Sequence, residues 1–258
     1  MVKDAIGIID LGLEGFSIAK AFAHIFRREH IIYYSDLQHD SYLNITENEV
    51  QEIVKTGIQN LLASKIKLLI VASDLIIDLA APALEGLSIP VVNPVQVLID
   101  YLNVKYEQKN IVLLAKNEIL QANLYQKNIK YNRLYNIPSN ELEAVINERM
   151  IKTSRSFYTI REHFKPILKK EIDVIVTSSP YLINLRTEMA EYVKFEEITD
   201  VGMILADKIR KENIVAFNEK GKGGFTVRSH LSKKEFGRCV YWAECKYHYQ
   251  EIKSGGKK

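Results

Sequence analysis

Three short segments of this 258-residue chain place chemically capable side chains where an apolar run gives way to polar residues. The first, Asp10-Leu11-Gly12-Leu13-Glu14-Gly15-Phe16-Ser17, follows an aliphatic stretch at residues 6–9 and precedes a helical pattern. It reads as a buried strand, a glycine-shaped turn bearing a carboxylate, and a helix N-terminus, an arrangement suited to holding a charged ligand. The other two, Val71-Ala72-Ser73-Asp74 and Val176-Thr177-Ser178-Ser179, each put a serine hydroxyl at the end of an apolar run. Each has a plainer reading too. Asp10 would cap the following helix, Asp74 would cap one starting at Leu75, and the serines would be small residues bonded to backbone. A serine acting as nucleophile or base needs a partner that takes its proton, and no histidine accompanies either serine in its segment.

Positioning these residues takes alternating strands and helices. Strand candidates fall at residues 5–9, 31–34, 67–72, 91–93, 110–114 and 173–177, short β-branched or aliphatic runs bounded by polar residues. That is the pattern of strands buried on both faces of a parallel sheet. Between them, Val50, Ile53, Val54, Ile58, Leu61 and Leu62, and later Leu142, Val145 and Ile146, carry helical spacing. The order strand, turn, helix recurs, and a serine-bearing strand end appears twice. The expected fold is therefore α/β with two similar lobes, each a mostly parallel sheet flanked by helices, and a cleft between them. The expected first lobe is residues 1–93 plus 201–258, the second 94–200, with 254–258 a flexible basic tail.

Composition narrows the class. A charged fraction of 26% and an apolar fraction of 47% are ordinary for a globular protein, and no apolar stretch reaches the roughly 18 residues of a membrane helix. With no signal-like N-terminus, the expected location is cytoplasmic. Cys239 and Cys245 lack metal-ligand or CxxC spacing, so neither a disulfide framework nor a metal site is expected. The net charge of +3 is concentrated after residue 218, which argues against a nucleic-acid partner for the whole chain. Lys220-Gly221-Lys222-Gly223-Gly224 lacks the Gly-Lys-Ser/Thr ending of a phosphate loop and is read as a flexible basic turn. Phe236, Val240 and Trp242 onward read as an amphipathic terminal helix, with base stacking by the neighbouring aromatics the lesser reading.

Taken in order, the segments resemble glutamate racemases, cofactor-independent members of the aspartate/glutamate racemase superfamily. Residues 10–15 match an Asp-Ser-Gly-x-Gly-Gly opening, with Leu11 in place of the serine and Glu14 in place of a glycine. Ser35-Asp36 and Tyr42-Leu43 match Gly-Asp and Pro-Tyr-Gly, keeping Asp36 and Tyr42; His39 between them is the one histidine within a matched segment. Val71 to Leu75 lies on Ala-Cys-Asn-Thr, so Ser73 stands at a catalytic cysteine, Asp74 at the asparagine and Leu75 at the threonine. Ile119 replaces a substrate-binding threonine and Tyr125 is kept. Val176 to Tyr181 lies on Leu-Gly-Cys-Thr-His-Tyr, so Ser178 stands at the second cysteine, Ser179 at the threonine and Pro180 at the histidine.

The resemblance implies a site with Asp10, Ser73 and Ser178 at the catalytic positions and Leu11, Asp36, Tyr42, Asp74, Leu75, Ile119 and Ser179 at ligand positions. It also places both serines in one pocket, with no cofactor. The implied ligand is an acidic amino acid or related small carboxylate, and a homodimer or a protein partner is left open. Racemisation without a cofactor removes an α-hydrogen with a thiolate and returns a proton from a thiol on the opposite face. A cysteine is brought to thiolate at modest cost, whereas a serine hydroxyl is far less acidic. The expectation is a racemase-like protein whose catalysis has degenerated. The alternatives are a non-catalytic binding or regulatory scaffold, and an isomerase or lyase using carboxylates instead of thiols.

Overall fold

Each of the six aliphatic runs forms a strand in the computed structural model, which describes residues 4–37 and 45–253. The chain divides into two compact units, Met1–Pro94 with Ala206–Lys258, and Val95–Leu205.

The first unit is built on strands β1 (Ala5–Asp10), β2 (His30–Ser35), β3 (Ile66–Val71) and β4 (Val91–Val92), with helices α1 (Phe16–Ile25), α2 (Glu47–Leu62) and α3 (Asp74–Leu79) between them. The second carries α4 (Pro94–Lys105), β5 (Lys109–Ala115), α5 (Asn117–Ala122), β6 (Tyr131–Pro138), α6 (Asn140–Asn147), α7 (Ser154–Phe164), β7 (Val174–Thr177), α8 (Arg186–Tyr192) and β8 (Glu197–Ile198). After α9 (Val201–Lys211), the chain adds β9 (Gly224–Ser229), α10 (Lys233–Cys239) and β10 (His248–Glu251) to the first unit. The strand orders are β10-β9-β2-β1-β3-β4 and β6-β5-β7-β8, and the recorded pairings are parallel throughout. The architecture is thus α/β with two parallel sheets flanked by helices.

All six residues of β1 are buried, which is why the run is continuously apolar rather than alternating. On one face Ile9, Tyr34 and Val71 pack against Val50, Val54, Ile58 and Leu61 of α2, each such aliphatic chain contributing roughly 1.5–3 kcal/mol. On the other, Phe16 of α1 meets the Tyr33 ring edge-on at 5.3 Å and Phe236 of α10 at 5.4 Å. α2 starts where Thr46 and Glu49 form a reciprocal capping box.

The C-terminal region differs from expectation. Residues 220–224 do not end in a flexible turn: Gly223 and Gly224 donate to the Arg27 and Glu29 carbonyls at 3.1 Å, and β9 begins at Gly224 alongside β2. A Cβ at Gly223 would lie 2.1 Å from the Glu29 oxygen, so backbone pressed on backbone demands glycine. Nor does one helix run on from Phe236. α10 starts at a Ser232–Glu235 capping box and ends at Cys239, and the later aromatics belong to a cluster in which Phe236 lies 5.8 Å from Tyr247 and 5.4 Å from Tyr249.

Candidate functional site

In a parallel sheet the strand carboxyl ends present the following loops together, and ligands bind there. In the first unit, β2, β1 and β3 are adjacent, which brings Asp36, Asp10 with Leu11, and Ser73 with Asp74 to successive strand ends. The Asp10 carboxylate is fully buried and accepts three hydrogen bonds, from the Gly12 N–H at 3.0 Å, the Gly15 N–H at 2.8 Å and the Tyr33 hydroxyl at 2.7 Å. Gly15 is required here, since a Cβ would stand 2.4 Å from that of Ala72. Burial, reinforced by the neighbouring Glu14 charge, pushes the Asp10 carboxyl up to about 7 against the pull of its donors. Burial and the adjacent Asp10 likewise hold the Tyr33 hydroxyl above its ordinary range.

Ser73 is buried with extended backbone at the start of α3, and its hydroxyl makes no capping bond. Asp74 opens that helix. Leu11 is buried in the apolar cluster beneath α2, and Leu75 packs against the same cluster. Asp36 is buried and lies 3.1 Å from Nδ1 of His230, the residue after β9. Sequence reasoning did not find this histidine, because nearly two hundred positions separate it from the carboxylate it meets. Tyr42 and Leu43, and His39, lie outside the described residues.

In the second unit, β6, β5 and β7 are adjacent and end at Ser139, Lys116 and the Ser178-Ser179 pair. The Ser178 N–H continues the ladder to the Leu114 carbonyl at 2.9 Å, and Ser178 is 7% exposed. Ser179 turns its hydroxyl to Glu143 of α6, with Oγ donating to Oε1 at 2.6 Å. The same carboxylate accepts from Ser139 Oγ at 2.9 Å and from the Tyr181 hydroxyl at 3.2 Å, and Lys116 Nζ lies 3.4 Å from Oε2. Glu143 is therefore a buried carboxylate gathering donors from all three strand ends, and its helical position gave no sign of this in the sequence. Ile119 is 1% exposed and packed in the interior. Among the described residues, no group of three or more His, Cys, Asp or Glu converges as metal ligands, and no helix is long and apolar enough to cross a membrane.

This geometry can be set beside known proteins. No protein-family model matches the chain. The glutamate racemase of Lactobacillus acidophilus is 23% identical over 226 residues, covering 83% of this chain and 84% of that protein. The crystal structure of a glutamate racemase isoform from Bacillus anthracis superposes with a TM-score of 0.81, at 20% identity and 98% coverage of both chains. The chain has the glutamate racemase fold. A glutamate racemase from Francisella tularensis in complex with D-glutamate matches with the same TM-score of 0.81, at 16% identity and 98% coverage of both chains. The glutamate racemase fold thus accounts for the two parallel sheets and for the strand ends that carry Asp10, Ser73 and Ser178.

Proposed function

We propose that this protein binds an acidic amino acid or related small carboxylate on a glutamate racemase fold and has lost the racemase reaction. The observation that carries the reading is the chemistry at the two strand ends. Ser73 and Ser178 occupy them as hydroxyls, and a hydroxyl cannot hold the thiolate-like charge that α-proton removal requires near neutral pH. Support for the ligand class comes from the F. tularensis neighbour with D-glutamate bound, and from the polar groups at the strand ends of both units. We assign Asp10, Ser73 and Ser178 to the former catalytic positions and Asp36, Asp74 and Ser179 to the ligand site. The two cysteines are free thiols, which fits a reducing compartment such as the cytoplasm.

One observation favours a second reading, in which an isomerase or lyase works through carboxylates. A buried Asp10 carboxyl raised to about 7 would be poised as a general base. Its oxygens are already engaged by the two glycine amides and Tyr33, however, which makes loop closure the better account. Circular dichroism following L- and D-glutamate over hours, beside calorimetric titration of both enantiomers, tests the proposal. Saturable binding without loss of optical activity is expected. Turnover abolished by Ser73→Ala or Ser178→Ala would end the loss-of-activity reading, and turnover abolished only by Asp10→Asn would favour the carboxylate enzyme.

A further inference from the structure

We infer that Lys116 is a specificity-determining cation at the second unit's strand ends, oriented by Glu143 to pair with a ligand carboxylate. The inference rests on the acidic-ligand reading above and deepens it. Lys116 is the first residue after β5, where a surface lysine would normally trail into solvent, yet its side chain is only 23% exposed. Its ammonium lies 3.4 Å from Oε2 of Glu143, whose side chain is 7% exposed.

Glu143 is not simply a counter-ion for this lysine. Two of its donors, Ser139 Oγ at 2.9 Å and Ser179 Oγ at 2.6 Å, crowd onto Oε1, and the Tyr181 hydroxyl reaches Oε2 at 3.2 Å. The carboxylate charge is thus spread over three hydroxyls, and the ammonium is the most distant of the four groups. The consequence is a carboxylate pinned by the ends of β6 and β7 that in turn holds a cation beside the end of β5.

Stability alone gives little reason for the arrangement. Fixing a lysine side chain costs rotamer freedom that a partly exposed ion pair does little more than offset. A preorganised cation at the end of β5, next to the β7 end that carries Ser178 and Ser179 and on the side where parallel sheets take ligands, instead lowers the ordering cost of binding an anion. Such a site distinguishes a carboxylate from the isosteric amide, because only the carboxylate gains from a fixed positive charge. The recognised class is a dicarboxylic amino acid, with its uncharged amide analogue rejected. Lys116 reads the charge, and Glu143 acts as a positioning residue.

Calorimetric titration of the full chain with glutamate and with glutamine tests this. The wild type should prefer glutamate at least tenfold. Lys116→Gln should weaken glutamate at least tenfold while leaving glutamine unchanged, so that the preference collapses. Lys116→Arg should restore part of it. Glu143→Gln, which keeps an acceptor for the serine hydroxyls, should weaken glutamate several-fold at an unchanged melting temperature. If Lys116→Gln does not fold, the same comparison is made with Lys116→Arg and Glu143→Gln. A wild type that binds glutamate while the variants keep its preference overturns the role of Lys116 and leaves the ligand reading standing. Equal weakening of both ligands also overturns it, as that is the signature of a structural role. A wild type that binds no acidic amino acid removes the ligand reading and this inference with it.

Discussion

Asp10 sits under two opposing demands. Its three donors favour the charged form, while complete burial and the Glu14 charge favour the neutral one, and burial prevails with a carboxyl near 7 against an ordinary 3.8. The folded state therefore holds a proton that the unfolded chain has released between those values. Stability from this proton is full below about pH 4 and is lost as pH rises through 7. Measured by denaturant unfolding, the wild type should lose ground to Asp10→Asn by up to about 1.4 kcal/mol per pH unit from about pH 4 to 7, then level off. Parallel stability profiles across that range would show that Asp10 is an ordinary carboxylate. The sequence made Asp10 legible through its glycines and the strand before it. Tyr33 and, in the other unit, Ser179 were not legible as partners of Asp10 and Glu143, lying 23 and 36 positions away with only the fold to join them.

Elements were legible where hydrophobic pattern and burial agree. β1, β2, β3, β5 and β7 are aliphatic because neighbours cover both faces, and α2 announces itself by its apolar spacing and capping box. β6 was missed because it is an edge strand, largely exposed, whose Tyr131-Asn132-Arg133 start reads as a loop. β9 was hidden behind the glycine-lysine run, whose composition suggests freedom while its packing removes it. Gly223 shows the difference. With the Glu29 oxygen 2.1 Å and the Arg27 oxygen 2.7 Å from where a Cβ would sit, Gly223→Ala must push backbone away from the start of β2. Overpacking of this kind costs about 1–3 kcal/mol, and thermal unfolding should show it as a clear drop in melting temperature. Lys222→Ala, next door and exposed, should leave the melting temperature unchanged. A Gly223→Ala protein as stable as the wild type would return residues 220–224 to the flexible turn that composition suggested.

For the whole molecule, the glutamate racemase fold is kept at 20% identity to the B. anthracis structure, and the loss of reaction we propose on it can be tested. The fold was legible in the sequence because topology sets the order of the strand ends, and that order leaves its mark in the chain even at low identity to the B. anthracis structure. Placing thiols at the two strand ends with Ser73→Cys and Ser178→Cys supplies bases but changes nothing around them. Leu11 is 2% and Ile119 1% exposed, and Leu75 packs beside Leu11's cluster, so side chains at three expected ligand positions are committed to apolar contacts rather than to a dicarboxylate. Replacing them with hydroxyl side chains would bury polar groups in apolar surroundings, at roughly 1–3 kcal/mol each where no partner is at hand. Asp74 adds a like charge at a position we assign to the ligand site, where it would repel substrate carboxylates. Misplacing a substrate by about 1 Å can cost on the order of a hundredfold in rate, and here several contacts are altered at once. The double cysteine variant should therefore fold, with a melting temperature close to that of the wild type, and still leave the optical activity of L- and D-glutamate unchanged over hours. Robust racemisation by that variant would mean that only the two bases had been lost, and that the apolar residues around them belong to a working site.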